Sequence, residues 1–208
     1  MGKFVVFEGP EGGGKTLQAG LLADSLRGAG FDVVLTREPG GTRVGNQIRS
    51  VLLGLGDYTI LPETEVLLLA AARAQHVREV IGPGLDRGAW VVCDRFVDST
   101  YAYQGGGSGL DLGPIRAIQA FATDGLEPDI RILLDVPVAI GLQRRYADPA
   151  SVNRIDLADS AYHQRVREAY LALAEESPGD WIVVDAQGAP DAVQSSVWGQ
   201  VWHTLVNA

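Results

Sequence analysis

The segment Gly9-Pro10-Glu11-Gly12-Gly13-Gly14-Lys15-Thr16 directly follows the apolar run Phe4-Val5-Val6-Phe7 and opens a helical pattern. It fits G-x-x-x-x-G-K-[ST], a pattern that carries meaning only in this strand–loop–helix setting. Its glycines let the backbone bend so that successive N–H groups point inward at the positive end of the next helix, which suits phosphate oxygens. In such a loop the lysine reaches the β- and γ-phosphates of a nucleotide, and the following hydroxyl helps to hold Mg²⁺. Gly9, Pro10, Glu11, Gly12, Gly13, Gly14, Lys15 and Thr16 are therefore the candidate cradle, with Lys15 as its cation and Thr16 as a metal ligand. Only two of the 17 basic residues are lysines, Lys3 and Lys15. A lysine kept inside the loop of an arginine-rich chain points to a need for a compact ammonium there.

Further along, short apolar runs alternate with longer amphipathic segments, the pattern of a parallel α/β sheet. Strands are expected at 3–8, 32–36, 90–94, 130–135 and 181–185. Helices are expected at about 15–29, 43–53, 63–80, 112–123, 138–146, 158–175 and 189–206. The strands are nearly continuous apolar runs, as required when helices cover both faces. No repeat or linker divides the chain, so residues 1–208 form one domain. Two segments interrupt the pattern. Gln104 to Gly109 contains four glycines and reads as a mobile or ligand-hugging loop; Tyr146 to Leu157 contains the breaker Pro149 and reads as a lid, placed at about 144–158.

The charge balance narrows the function. A net charge of -9 with no basic block argues against a nucleic-acid groove or a polybasic membrane patch. The longest apolar stretch, Val66 to Ala72, is too short to span a bilayer, and no signal peptide is read at the N-terminus. Cys93 is the only cysteine, which excludes an intrachain disulfide, and a reducing cytoplasmic setting is the expectation.

In an open α/β sheet, ligands sit at the carboxyl ends of the strands. Polar clusters follow the first strand (8–16), the second (36–42) and the third (94–96), and Asp135 ends the fourth. Asp94 and Asp135 each close an apolar run, as the acidic Mg²⁺ partner of a phosphate loop does; their spacing does not choose between them. Arg95, Arg37 and Arg49 offer planar forks suited to a phosphate. Arg73 projects from an apolar helix and needs acceptors. Tyr101 and Tyr103 offer flat faces to a sugar or base, and Arg144, Arg145 and Arg154 flank or occupy the lid, where a closing arginine stabilises a transferring phosphoryl group. His76, His163 and His203 show no metal-ligand spacing.

Taken together, F-E-G-P-E-G-G-G-K-T at 7–16, T-R-E-P-G-G-T at 36–42, A-A-R-A-Q at 71–75, D-R-F-x-x-S-x-x-A-Y-Q-G at 94–105, P-D-I-x-I-L-L-D at 128–135 and the segment 154–167 resemble the thymidylate kinases along nearly the whole chain. The resemblance implies a P-loop NTPase fold of the nucleoside monophosphate kinase kind, ATP as phosphoryl donor, Mg²⁺, dTMP as acceptor and a homodimer. It is to the bacterial type in which the phosphate loop has no basic residue before its lysine and the lid supplies the arginine, here Arg154 or a neighbour. By resemblance, Glu11 contacts the deoxyribose hydroxyl, Arg95 the dTMP phosphate, and Arg73 a thymine carbonyl. Ser99 and Gln104 help to hold the base, Tyr103 crowds out a 2′-hydroxyl, and Asp94 lies near Mg²⁺. Two positions depart from the family pattern: Leu69 stands where a stacking phenylalanine is usual, and Ser108 follows Gly107 where an arginine is frequent. A kinase for another nucleotide and a nucleotide-sensing switch are the competing readings; no N-K-x-D guanine-reading segment is present.

Overall fold

The computed structural model describes residues 2–56 and 58–206. Met1, Asp57, Asn207 and Ala208, part of the single 1–208 domain expected from the sequence, lie outside the described residues. Five strands, β1 (Lys3–Glu8), β2 (Val33–Arg37), β3 (Trp90–Asp94), β4 (Ile130–Asp135) and β5 (Trp181–Asp185), form one parallel sheet in the order β2-β3-β1-β4-β5. Nine α-helices are described: α1 (Lys15–Gly28), α2 (Arg43–Leu53), α3 (Pro62–His76), α4 (Gly82–Asp86), α5 (Val97–Thr100), α6 (Leu112–Thr123), α7 (Val138–Tyr146), α8 (Ser160–Glu176) and α9 (Pro190–Val201).

Successive strand residues point to opposite faces, and β1 is apolar on both. Val5 and Phe7 join Leu22 and Leu26 of α1 and Val193 and Val197 of α9 on one side. Phe4 and Val6 join Ile81, Phe96 and Val97 on the other. Each such side chain removed from water contributes roughly 1.5–3 kcal/mol, so the central strand is locked between two helical layers. The carboxyl ends of β1 and β3 therefore lie side by side, with Phe7 in register with Asp94 and Arg37 on the far side of Asp94.

The expected strands and most of the long helices are present with shifts of a residue or two; β2 runs from 33 to 37 rather than 32 to 36, and the helix expected at 189–206 is α-helical only to Val201 and continues as a π-helical turn at 202–206. The helix expected at 63–80 ends at His76 and passes through a wide π-helical turn at 77–81 into α4, which takes Pro83 into its first turn.

The expected loop at 104–109 is a correction. Residues 101–107 are a π-helical continuation of α5 packed beneath α8. Its glycines permit close approach: a Cβ on Gly106 would stand 2.4 Å from the Ala169 Cβ, and one on Gly107 would stand 2.7 Å from the Tyr162 ring. Glycine-rich composition here marks tight helix packing, not freedom. The lid segment carries short 3₁₀ turns at 149–151 and 155–157. It is organised around buried Asp156, which accepts two hydrogen bonds from Arg145 (3.0 and 2.7 Å) and one from the Asn153 N–H (2.9 Å).

Candidate active site

At the end of β1 the chain turns through Gly9 (φ 138°), Gly12 (φ 71°) and Gly14 (φ 85°) before α1 begins at Lys15. These left-handed values favour glycine. Space imposes a second demand: a Cβ on Gly12 would lie 2.0 Å from the Gly141 carbonyl oxygen, and a Cβ on Gly141 would lie 2.2 Å from that of Glu11. The loop is thus braced backbone to backbone against α7. Gly12→Ala should destabilise the fold by about 1–3 kcal/mol, the usual cost of overpacking, and weaken ATP binding at least tenfold; urea unfolding and nucleotide titration would check both.

Within the turn, the Lys15 Nζ donates to the carbonyls of Gly9 (2.9 Å) and Pro10 (2.7 Å). Burial, with the nearby Arg95 charge, pulls its pKa down to about 8 against the opposing pull of Glu11, Asp94 and Glu8. Gly9 and Pro10 do not line the cleft; they act through these carbonyls, while residues 11–16 face it.

Asp94 and Asp135, indistinguishable by spacing, end the two strands that flank β1 and are separated by the partners they meet. The Thr16 hydroxyl donates to Asp94 Oδ2 at 2.5 Å, which places hydroxyl and carboxylate together beside the phosphate loop. Asp135 is held by both ends of the Arg167 guanidinium, at 2.7 and 2.8 Å. Thr16 and Asp94 are hard oxygen donors of the kind Mg²⁺ takes, in the small number it takes from protein when phosphates and water complete its shell. No cluster of three potential His, Cys, Asp or Glu ligands occurs among the described residues.

Next to Asp94, the backbone of Arg95 leaves the strand at φ 72°. That reversal lets both side chains face the cleft, although adjacent residues of a continuing strand would diverge. Arg95 Nη2 donates to Glu11 Oε1 (2.8 Å) and to the Tyr103 hydroxyl (2.9 Å), while Nη1 is shared among Gly9 O, Ser99 Oγ and Tyr170 Oη at 3.2 Å each. The Tyr103 hydroxyl itself donates to Glu11 at 2.8 Å. Burial pushes the Glu11 carboxyl up, but Arg95, Lys15 and the Tyr103 bond outweigh it and hold the pKa at about 2. Glu11 is a carboxylate at any neutral pH.

Beneath this hub lies a second carboxyl. Glu8 is fully buried and accepts from the Phe96 and Ser99 N–H groups (2.8 and 3.2 Å) and from the Ser99 and Tyr170 hydroxyls (2.6 and 2.9 Å). It anchors the start of α5. Burial, then the Asp98 charge, raises its pKa. Neither Glu8 nor Tyr170 was singled out from the sequence. Glu8 carried one signal, a carboxylate closing an apolar strand with no cation beside it; Tyr170 falls on the buried row of α8 with Val166 and Ala174 and reads as core.

The same cleft, about 610 Å³, continues to α3, where Leu69, Arg73, Ser99, Tyr103 and Gln104 line it; Arg37, Arg49 and Arg154 line it as well. Arg37 is exposed there, and Arg49 donates to the Pro39 carbonyl at 2.9 Å. Arg73 is 1% exposed and largely committed to protein. Its Nε donates to Glu38 (2.7 Å), Nη1 to Thr100 (3.2 Å) and Gln119, and Nη2 to the Phe96 carbonyl (2.8 Å). Of five guanidinium hydrogens, one on Nη2 has no partner among the described residues. Glu38 also pairs with His76 Nδ1 at 2.9 Å, so His76, without a role in the sequence reading, steadies this network. Tyr101 lies outside the cleft, under Arg116.

The three arginines at the lid divide sharply. Arg144 donates to the carbonyls of Gly12 (3.4 Å), Ala186 (2.8 Å) and Gln187 (2.9 Å), clipping the phosphate loop to the segment after β5. Arg145 is bound to Asp156. Arg154 reaches across the cleft to Glu65 on α3 and donates to the Leu52 carbonyl at 3.3 Å.

This geometry has close counterparts. The thymidylate kinase family model matches residues 7–197. A thymidylate kinase of Thermomicrobium roseum is 53% identical over 205 residues, covering 99% of this chain and 97% of the relative. One of Pseudomonas fluorescens is 49% identical over 196 residues, 94% of this chain and 93% of the relative. The crystal structure of thymidylate kinase from Ehrlichia chaffeensis superposes with a TM-score of 0.79 at 31% identity, covering 96% of this chain and 98% of that one. A family match over residues 7–197, sequence identity of about half along nearly the whole chain and a shared fold lead to one conclusion: the chain belongs to the thymidylate kinase family.

Proposed function

We propose that the cleft carries out transfer of the γ-phosphoryl group of ATP to dTMP, giving dTDP. The observation that supports this most directly is the continuity of one cleft. The Lys15 ammonium and the Thr16–Asp94 pair lie at one end, Leu69, Arg73 and Gln104 at the other, and Arg95 between them. In this reading the loop N–H groups and Lys15 grip the triphosphate. Thr16 and Asp94 would hold Mg²⁺, which would supply charge neutralisation at the phosphates. Arg95, with Arg37 nearby, receives the acceptor phosphate, and Glu11 meets the sugar hydroxyl. Tyr103 leaves no room for a second one, Ser99 supports Arg95, and Leu69 gives the base an apolar wall. The free Nη2 hydrogen of Arg73 meets a base carbonyl. The acceptor phosphate is already ionised, so positioning and charge neutralisation matter more than a strong base.

The test is product analysis after mixing the enzyme with ATP, Mg²⁺ and each nucleoside monophosphate in turn. Preferential formation of dTDP is expected; clear preference for another monophosphate would overturn the reading. Arg154 is the lid cation in this account, released from Glu65 to meet charge on the transferring group. Arg154→Ala should lower kcat about 100-fold while KM for dTMP moves only a few-fold. A steady-state kinetic series separates the two parameters.

A homodimer is part of the same reading. The side chains of Leu67, Ala71 and Ala74 on α3 and Ile118 and Phe121 on α6 line an apolar groove, with Phe121 86% exposed. Covering such a face suits a second copy. Sedimentation should give twice the chain mass, reduced to a single chain by Phe121→Asp. A reducing, cytoplasmic setting fits a chain whose only cysteine is buried and free. No helix among the described residues is long and apolar enough to cross a membrane.

A further inference from the structure

We infer that Glu65 is a specificity-determining positioning residue: its carboxylate fixes which end of the Gln104 amide faces the base slot. The inference rests on the acceptor being a pyrimidine nucleotide, as proposed above. Gln104 and Glu65 are 4% and 5% exposed, and both line the cleft. Gln104 Nε2 donates to Glu65 Oε2 at 2.8 Å. Gln104 Oε1 is buried and has no partner among the described residues.

A side-chain amide has a donor end and an acceptor end of nearly the same shape, so sterics alone do not orient it. A carboxylate only accepts. Turning the Gln104 carbonyl toward Glu65 would place two acceptors together where water is excluded, and would leave the amide hydrogens unanswered. Glu65 therefore holds the NH₂ end, and the carbonyl oxygen remains for the ligand. Arg73 lines the same cleft, and one of its two Nη2 hydrogens is left over after the bond to the Phe96 carbonyl. An acceptor beside a donor complements a base edge carrying a ring N–H next to a carbonyl, as thymine does at N3 and O4. It opposes cytosine, whose N3 accepts and whose N4 donates.

The Arg154 guanidinium binds the other oxygen of Glu65, so the residue could also act through the lid. The two routes predict different readouts. Loss of amide orientation changes the ratio of two bases, whereas loss of a lid contact lowers both substrates together.

The experiment compares kcat/KM for dTMP and dCMP in the full-length enzyme with ATP and Mg²⁺. Glu65→Gln replaces an obligate acceptor by a group that either donates or accepts, so the Gln104 amide can reverse. The dTMP rate should fall 10- to 100-fold while dCMP stays level or rises, narrowing the ratio at least tenfold. In the wild type, 3-methyl-dTMP should lose at least tenfold against dTMP, and in Glu65→Gln that penalty should shrink below threefold. Arg154→Met should lower both nucleotides equally and leave the ratio alone. Adding Glu65→Gln to Gln104→Met should leave the ratio set by Gln104→Met unchanged. If Glu65→Gln fails to fold, Glu65→Ala is read the same way, by calorimetric binding of dTMP and dCMP.

Equal losses for both nucleotides in the Glu65 variant, or an equal ratio shift in Arg154→Met, would overturn the inference and leave the proposed reaction intact. A wild-type enzyme that does not prefer dTMP would instead overturn the proposed reaction, and this inference with it.

Discussion

Lys15→Met is expected to lower kcat/KM by about 10³-fold or more while leaving the fold in place, as read by steady-state kinetics beside a thermal melt. The catalytic loss follows from geometry: the ammonium sits inside the glycine turn, held by the Gly9 and Pro10 carbonyls, and lines the cleft. A preorganised donor aimed at developing charge is worth about 10²–10³-fold, and loss of nucleotide grip adds to it. Stability changes little because two effects oppose each other. Burying this ammonium lowers its pKa from 10.5 to about 8. That shift costs the folded state on the order of 3 kcal/mol wherever both states are protonated. Removing the charge relieves this cost but leaves the Gly9 and Pro10 carbonyls without their donor, at about 1–3 kcal/mol each. The terms nearly cancel.

The same shift fixes a pH dependence. Below pH 8 the folded and unfolded chains both hold the proton, and the full burial cost is present. Between about 8 and 10.5 the unfolded chain binds more protons, so this group's contribution to stability rises with pH. Function moves the opposite way: the ligand-free ammonium loses its proton above about pH 8, and ATP binding should weaken there. Calorimetric titrations from pH 7 to 9.5 would show a falling affinity in the wild type, and in Lys15→Met an affinity that is weak throughout and nearly flat.

Arg95→Met carries the second large effect, an expected loss of about 10³-fold in kcat/KM for dTMP together with a lower melting temperature. One guanidinium serves both purposes. It is the candidate grip on the acceptor phosphate, and it neutralises Glu11. Removing one partner of a buried ion pair costs about 3–5 kcal/mol; Arg95 and Glu11 keep 15% and 16% of their side-chain surface exposed, which moves the cost toward the low end. Lys15 and Tyr103 still face Glu11, so the lower part of that range applies. Arg95→Lys should recover little, since a point charge cannot reproduce a fork that answers Glu11, Tyr103, Ser99 and Tyr170 together. The acid limb gives an independent reading. In the folded wild type the Glu11 pKa of about 2 lies below its ordinary 4.5. The stability it contributes is fully present above 4.5 and is lost as pH falls from 4.5 toward 2. Denaturant midpoints across that window should fall less steeply in Arg95→Met, where the Glu11 pKa rises toward its ordinary value.

Much of this protein follows from local order along the chain. An apolar run, a glycine turn and a lysine at the head of a helix specify the phosphate loop, because φ/ψ freedom and N–H direction depend on a few consecutive residues. The strand ends are legible for the same reason: Asp94 and Arg95 stand where an apolar run stops. Tertiary structure decided what depends on residues far apart. β3 and β4 both flank β1, but only Asp94 meets the Thr16 hydroxyl, while α8 carries Arg167 to Asp135. Gly106 and Gly107 serve close packing because α8 crosses them, and Gly105 because Leu112 of α6 abuts it. Glu8 meets Tyr170 across 162 positions, and Arg154 meets Glu65 across 89. Partners chosen over such separations are set by strand order and helix packing, and no window of neighbouring residues encodes them. A buried carboxylate looks the same in sequence whether it is solvated, paired with an arginine or turning an amide toward a base.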